Sequence, residues 1–398
     1  MRKEQINFKE VKREAKTVPE IGIGVLGYGF VSKAHCHAWW NIPLFYWPPP
    51  ATPRLIAVCG RKEKAVQEAA RRYRFFGYYT DWKDMVQDQR IEIFDNTGPN
   101  NIHAGPTIVA AEAGKHVICE KPLSNSVADS KRMLEVVSKE QVKHMCGYNY
   151  RFVPAIRLAK KLIDEGRIGR IYHFRARYLQ EWLNDPQLPL LWRMKKEIAG
   201  SGPLGDLGSH IIDLARFLVG EIERVTGVTA DFIEMRTLKG EPARKGRVTV
   251  EDAFEATVEF ENGAIGTLEA TGFATGRKNY NNFEISGERG SIEFNLERLN
   301  ELRVYLKDEE IEDIAGWHEI LVTESYHPLI NSIYWPEGHI IGWEHTFINE
   351  LHYFLDCVVR DKPLEPYAAT FEDGYKVDAV CDAICKSALT GKKVTVNY

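Results

Sequence analysis

The chain has 398 residues, 44% hydrophobic and 27% charged, an ordinary globular composition long enough for two packed domains. A formal net charge of -4 excludes a nucleic-acid binder built on a concentrated basic face and points to small molecules as partners. No run reaches the ~20 apolar residues of a membrane span, and the opening "MRKEQINFKEVKREAKTVPE" alternates charges where a secretion signal would be apolar. Seven cysteines without a C-x-x-C pair suit reduced thiols better than a disulfide framework or a zinc site, so a cytoplasmic protein without a metal is expected.

Residues 1–20 read as a charged N-terminal extension. "EIGIGVLGYGF" then predicts a strand ending in closely spaced glycines, and "VSKAHCHAWW" a helix. The aromatic, proline-rich "WWNIPLFYWPPPATP" is expected to be a loop, with a rim of a ligand cleft as the alternative. The theme repeats: "RLIAVCG", "IEIFDNTG", "KHVICEKP" and "VKHMCGYN" as strands, with "KEKAVQEAARRY", "IHAGPTIVAAEAG" and "SVADSKRMLEVVSKE" as helices between them. Short apolar strands alternating with helices specify a doubly wound parallel sheet covered on both faces, here over 21–148.

From 149 to 398 the pattern changes to an α+β domain. Helical "PAIRLAKKLIDEG" and "DLGSHIIDLARFLVG" flank the strand "RIYHFRARYL". "RVTVEDAFEATVEFENGAIGTLEATGF", "NNFEISGERGSIEFN" and "LNELRVYLKD" alternate as strands joined by hairpin signals, a large, mostly antiparallel sheet with helices on one face. Two further helices, "WEHTFINELHYFLDCVVR" and "EDGYKVDAVCDAICKSALTG", end the chain.

Three segments carry chemistry. "GYGFVS" gives G-x-G at Gly27 and Gly29, then Phe30, Val31 and, in place of a third glycine, Ser32. In a first strand-turn-helix this spacing lets backbone approach a dinucleotide pyrophosphate at the helix N-terminus. The second strand ends with Arg61 and Lys62 where an acidic residue would select NAD; they suit a 2'-phosphate or are a solvated helix start, and NAD versus NADP stays open. Lys121 follows the strand "KHVIC", where ligands of open parallel sheets sit, and Pro122 restricts it. In "GSGPLGDLGSHIIDLARF" Asp206 and His210 are four apart and would share one helix face; alone, they read equally well as a cap and a buried histidine.

"GVLGYGFVSKAH", "GKHVICEKPL", "GYNYRF" and "GPLGDLGSHIIDLARFL" together resemble the glucose-fructose oxidoreductase / inositol dehydrogenase / rhizopine catabolism family, Gfo/Idh/MocA, from about Ile21 to Gly220. Within it, "YLQEWLNDPQLPLLWR" is similar to members that oxidise pyranose rings. The resemblance implies a Rossmann domain carrying NAD or NADP, and hydride transfer to it from a ring hydroxyl of a sugar or cyclic polyol. His210 would be the general base, Asp206 would orient its imidazole and contact the sugar, and Lys121 would hydrogen-bond the reacting oxygen. It also implies cofactor contacts at Thr97, Pro99 and His103, and at Glu120, Lys121 and Asn149 near the nicotinamide ribose. Tyr150, Arg151, Tyr178, Trp192 and Arg193 are candidate substrate contacts beside Asp206 and His210, or packing residues. A homodimer or homotetramer is expected. Two other activities fit the same resemblance: a glycosidase that oxidises and re-reduces its substrate through NAD, and a non-catalytic, nucleotide-binding regulator.

Overall fold

A computed structural model describes residues 18–309, 311–331 and 333–398; most of the predicted N-terminal extension lies outside the described residues. The first unit contains β1 (Glu20–Leu26), α1 (Phe30–Phe45), β2 (Thr52–Cys59), α2 (Glu63–Arg72), β3 (Gly77–Tyr79), α3 (Trp82–Gln87), β4 (Ile93–Asn96), α4 (Ala104–Glu112), β5 (His116–Cys119), α5 (Val127–Glu140) and β6 (His144–Cys146). Every adjacent pair of its strands is parallel, in the order β3-β2-β1-β4-β5-β6, the double winding of a dinucleotide-binding sheet. Ile21 to Leu26 are all buried, as a strand with helices on both faces must be. The short β3 escapes the sequence reading because "GYY" offers no apolar period.

The second unit is built on α6 (Pro154–Asp164), β7 (Ile171–Leu179), α7 (Lys196–Ala199), α8 (Ser209–Leu218), β8 (Ile222–Ala230), β9 (Met235–Leu238), β10 (Glu241–Arg247), β11 (Ala253–Phe260), β12 (Ile265–Thr271), β13 (Tyr280–Gly287), β14 (Gly290–Asn295), β15 (Glu301–Leu306) and β16 (His318–Leu321). After α9 (Glu344–Val359) and α10 (Phe371–Thr390) the chain closes with β17 (Val394–Thr395). Nine strands form one sheet in the order β16-β15-β14-β13-β7-β12-β11-β8-β17, and β9 and β10 form a separate hairpin. All pairs in the large sheet are antiparallel except β7 with β12. In β14 burial alternates residue by residue, because only one face is covered.

The proline-rich stretch departs from the expected loop. α1 continues through Trp39, Trp40 and Pro43 to Phe45, since Trp39 and Ile42 extend its buried face and Pro43 falls in the last turn. Beyond it, Tyr46 stacks on His352 at 3.5 Å and its hydroxyl donates to Asn349 Oδ1 at 2.6 Å, joining this segment to α9. The two C-terminal helices thus return to the first unit. Phe347, Leu351 and Phe354 of α9 share a core with Ala38, Trp39 and Ile42 of α1. Gly374 brings α10 so close to β6 and the turn after β5 that a Cβ there would lie 2.8 Å from Leu123 Cβ and 3.2 Å from Cys146 Sγ.

Phe174 of β7, fully buried, stacks on Phe283 of β13 at 6.0 Å and meets Phe260 of β11 edge-on at 6.3 Å. Phe174→Ala is expected to cost about 3–5 kcal/mol, read as a fall in the urea midpoint at unchanged slope.

Candidate active site

The carboxyl ends of β1, β4 and β5 converge on one edge of the first sheet. Gly27 leaves β1 at φ 110°, and a Cβ there would meet Thr97 O and Oγ1 at 2.9 Å, so the turn admits only glycine. Around Gly29 a Cβ would meet nothing within 4 Å, which leaves open space over the start of α1. Ser32, where the fingerprint has its third glycine, is fully buried: its hydroxyl accepts from Gly29 N at 3.1 Å and pairs with Thr97 Oγ1 at 2.7 Å. The substitution therefore ties the turn to the end of β4. A backbone cradle without side chains, open above and facing a helix N-terminus, fits a dinucleotide pyrophosphate. Phe30 and Val31 open α1, with Phe30 exposed and stacked on Trp343 at 5.5 Å. Arg61 and Lys62 are exposed beyond β2 and free to meet the far end of such a ligand.

Thr97 and Pro99 shape the turn after β4. His103 is buried between that turn and the next, 2.9 Å from both Gly98 O and Pro122 O. It braces two turns and does not open onto the cleft, a correction to the expected cofactor contact: the residue lies inside the wall that the turns form. Burial pushes its imidazole below its ordinary value. Glu120 and Asn149 are also buried; Asn149 donates to Thr346 Oγ1 of α9 at 2.7 Å.

Lys121 precedes a cis peptide bond to Pro122 and stretches from the end of β5 to the second unit. Its ammonium donates to Asp206 O at 2.6 Å and to Asp206 Oδ1 at 3.2 Å. Asp206 does not start an α-helix with His210. Residues Leu204–Gly208 form a π-turn leading into α8, with Asp206 at its centre and His210 in the first turn of α8. Such wide turns recur at functional sites. The Asp206 carboxylate goes to Lys121 and to Arg193 Nε at 3.7 Å, not to His210, so its expected role of orienting the imidazole is corrected. Burial pushes the Asp206 carboxyl up, but the charges of Lys121 and Arg193 outweigh it and hold it below its usual range.

His210 is instead set by aromatic rings: Tyr150 at 4.6 Å, Tyr148 at 5.8 Å and Tyr178 at 5.9 Å between centroids. Its Nδ1 is buried without a hydrogen-bond partner among the described residues. Burial, and secondarily the Lys121 charge, push the imidazole well below 6.5, which favours its uncharged form. The Tyr150 and Tyr178 hydroxyls pair at 2.8 Å, and Tyr178 donates on to Asn279 Oδ1 at 2.7 Å. Trp192 and Arg193 are partly exposed at the same cleft, with the guanidinium over the indole at 4.4 Å. Two contributors missed by the sequence reading are Trp343, whose Nε1 donates to Tyr150 OH at 3.4 Å, and Asn279. Both come from distant segments without a local motif.

Arg151 is a correction to the expected substrate contact. It is 2% exposed, and donates from Nε to Asp213 Oδ2 at 2.9 Å and from Nη2 to Asp213 Oδ1 at 2.6 Å. Asp373 Oδ1 lies 3.1 Å from Nη2. Its charge is consumed by this buried framework. Among the described residues no cluster of three or more His, Cys, Asp or Glu could hold a metal ion.

The comparisons agree with this geometry. Residues 21–148 match the family model described as an oxidoreductase family with an NAD-binding Rossmann fold, and 156–293 match the GFO/IDH/MocA C-terminal domain. Levoglucosan dehydrogenase of Pseudarthrobacter phenanthrenivorans is 42% identical over 92% of this chain and 96% of its own. The chain belongs to the Gfo/Idh/MocA family. Myo-inositol 2-dehydrogenase of Thermotoga maritima is 27% identical over 93% of this chain and 97% of its own. Among solved structures, levoglucosan dehydrogenase in complex with NADH and levoglucosan superposes at a TM-score of 0.91, covering 95% of this chain and all of that one. The expected fold, the nicotinamide cofactor and the sugar or polyol dehydrogenase class agree with these relatives.

The buried role of Arg151 has a measurable signature. Arg151→Ala leaves Asp213 and Asp373 without a shared cation and is expected to cost about 3–5 kcal/mol in urea unfolding. A substrate contact would behave the other way, with KM raised and stability unchanged.

Proposed function

We propose that the protein oxidises a ring hydroxyl of a sugar or cyclic polyol, with an anhydropyranose of the levoglucosan type as the first candidate. The observation that supports this is the pairing of Lys121 with Asp206, with His210 near enough to feel the Lys121 charge, combined with 42% identity over 92% of the chain to levoglucosan dehydrogenase. Bound NAD or NADP supplies the hydride acceptor. Gly27, Gly29 and the start of α1 would hold its pyrophosphate, Thr97 and Pro99 its middle, Arg61 and Lys62 its adenosine end, and Glu120, Lys121 and Asn149 its nicotinamide ribose.

His210 takes the hydroxyl proton, which its uncharged state permits. Lys121, fixed in direction by Asp206, places a cation beside the oxygen as negative charge develops there. Tyr150, Tyr178, Trp192 and Arg193 give the ring flat faces and hydrogen-bonding edges. The low polarity of the tyrosine-lined wall strengthens the Lys121 field at that oxygen.

We place the division of the chain at 148/149, and the end of the first sheet at Cys146 supports it. We place homodimer or homotetramer contact on the uncovered face of the nine-stranded sheet, where Arg175, Arg177, Glu255, Glu269 and Glu284 stand without a covering layer. Light scattering on the purified protein tests it. No helix among the described residues is long and apolar enough to cross a membrane. All seven cysteines are free thiols, which supports a reducing, cytoplasmic compartment.

Formation of NADH or NADPH with anhydrosugars, inositols, free hexoses and glycosides tests the reading and selects the cofactor. Lys121→Ala and His210→Ala are each expected to lower turnover roughly a hundred- to ten-thousand-fold while nucleotide binding persists; wild-type rates in either variant would refute the roles. Because His210 acts unprotonated and lies well below 6.5, kcat/KM should hold from neutral pH down past 6.5 before falling. An acid limb at or above that value would contradict His210 as the base.

A further inference from the structure

Behind the cleft lies a buried polar cluster that the reaction described above does not use. His35 of α1 has no exposed surface, and both of its ring nitrogens face acids. Nδ1 is 3.0 Å from each oxygen of Asp95, a residue of β4, and Nε2 is 3.0 Å from Oε1 of Glu120. Trp39 Nε1 donates to Asp95 Oδ2 at 2.9 Å, so the far side of the ring is anchored. The other oxygen of Glu120 accepts from the Lys121 amide at 3.2 Å. Gly147 leaves room for this carboxylate, since a Cβ there would lie 2.5 Å from Oε1.

A neutral imidazole has one N–H, and would turn the lone pair of its other nitrogen toward a carboxylate. With both carboxyls ionised, only a ring that donates from both nitrogens satisfies them. Burial opposes a charged ring, but Asp95 and Glu120 together outweigh it and raise His35 well above 6.5. Glu350 of α9 faces the same cluster with both oxygens buried and unpartnered; burial, then Glu120, push its carboxyl well up, so it joins as a neutral acid.

We propose that His35 is a positioning residue, a doubly donating clamp anchored on Asp95 that fixes the Glu120 carboxylate at the edge of the nucleotide site. The proposal deepens the functional reading above and rests on it for the identity of the ligand. Glu120 keeps acceptor capacity beyond His35 and the Lys121 amide, and it directly follows β5 at the carboxyl edge of the sheet, where the ligand of a doubly wound fold lies.

The test uses the full chain labelled with ¹⁵N-histidine, without nucleotide, in mildly alkaline buffer. His35→Asn identifies the signal by its loss. The expected result is two pyrrole-type ring nitrogens for His35 in the wild type, one of which becomes pyridine-type in Glu120→Gln. A pyridine-type nitrogen in the wild type overturns the clamp, and that measurement needs no variant to fold. Binding of NADH, followed by fluorescence, should weaken about ten- to a hundredfold in His35→Asn and in Glu120→Gln, the worth of one hydrogen bond to a charged group, and the double variant should be no weaker than the worse single one. Additive losses, or unchanged affinity in a folded His35→Asn, overturn the positioning role. The assignments of Lys121 and His210 stand or fall separately, on the turnover of their own variants.

Discussion

One ammonium group joins the two halves of the cleft. Lys121 leaves the end of a parallel strand and reaches both the carbonyl and the carboxylate of Asp206, a residue carried by the other unit. Each half alone would offer an incomplete set: the first sheet a nucleotide cradle and a cation, the second a carboxylate and an imidazole. The bridge fixes their relative placement. A lysine tethered at two points has lost most of its rotamer freedom before any ligand arrives, which is the positioning that a hydride transfer demands.

The charges around this bridge are sorted by what they touch. Lys121 and Arg193 are partly exposed and turned to the cleft, with Asp206 between them. Arg151, Asp213, Arg216 and Asp373 form a mutually paired framework around α8, buried except for the half-buried Asp373. His210 lies between these two populations without an ion partner, held by tyrosine rings, and this isolation keeps it uncharged. A carboxylate on the imidazole would have raised it toward protonation; the aromatic setting has the opposite effect.

Much of this was legible in the sequence because it is local. A glycine pair after an apolar run, strands alternating with helices, and a lysine at a strand end each carry their structural context with them, and Lys121 does reach Asp206 from the end of its strand. What failed is what depends on partners far along the chain. Arg151 beside Tyr150 looks like a ligand group until Asp213 and Asp373 are folded against it. His103 sits in a motif yet is sealed between two turns. A spacing of four implies a shared helical face only if the segment is α-helical, and the π-turn at Leu204–Gly208 breaks that premise. In α1, burial of Trp39 and Ile42 carried the helix into a stretch whose prolines suggested a loop. His35 and Asp95 had no motif to announce them, although an acid inside the fully buried β4 is itself a signal that a partner must exist.

The return of α9 and α10 to the first unit bears on how the enzyme moves. In a two-domain protein whose chain crosses once, the cleft can gape by swinging about that crossing. Here α9 shares a core with α1, and α10 lies against β6 and the turn after β5 through Gly374, so a wide swing would have to peel apolar faces from each other on both sides of the cleft. A wide opening is opposed on both sides, and the exposed Phe30 ring stacked on Trp343 adds one more contact between the start of α1 and the residue that precedes α9.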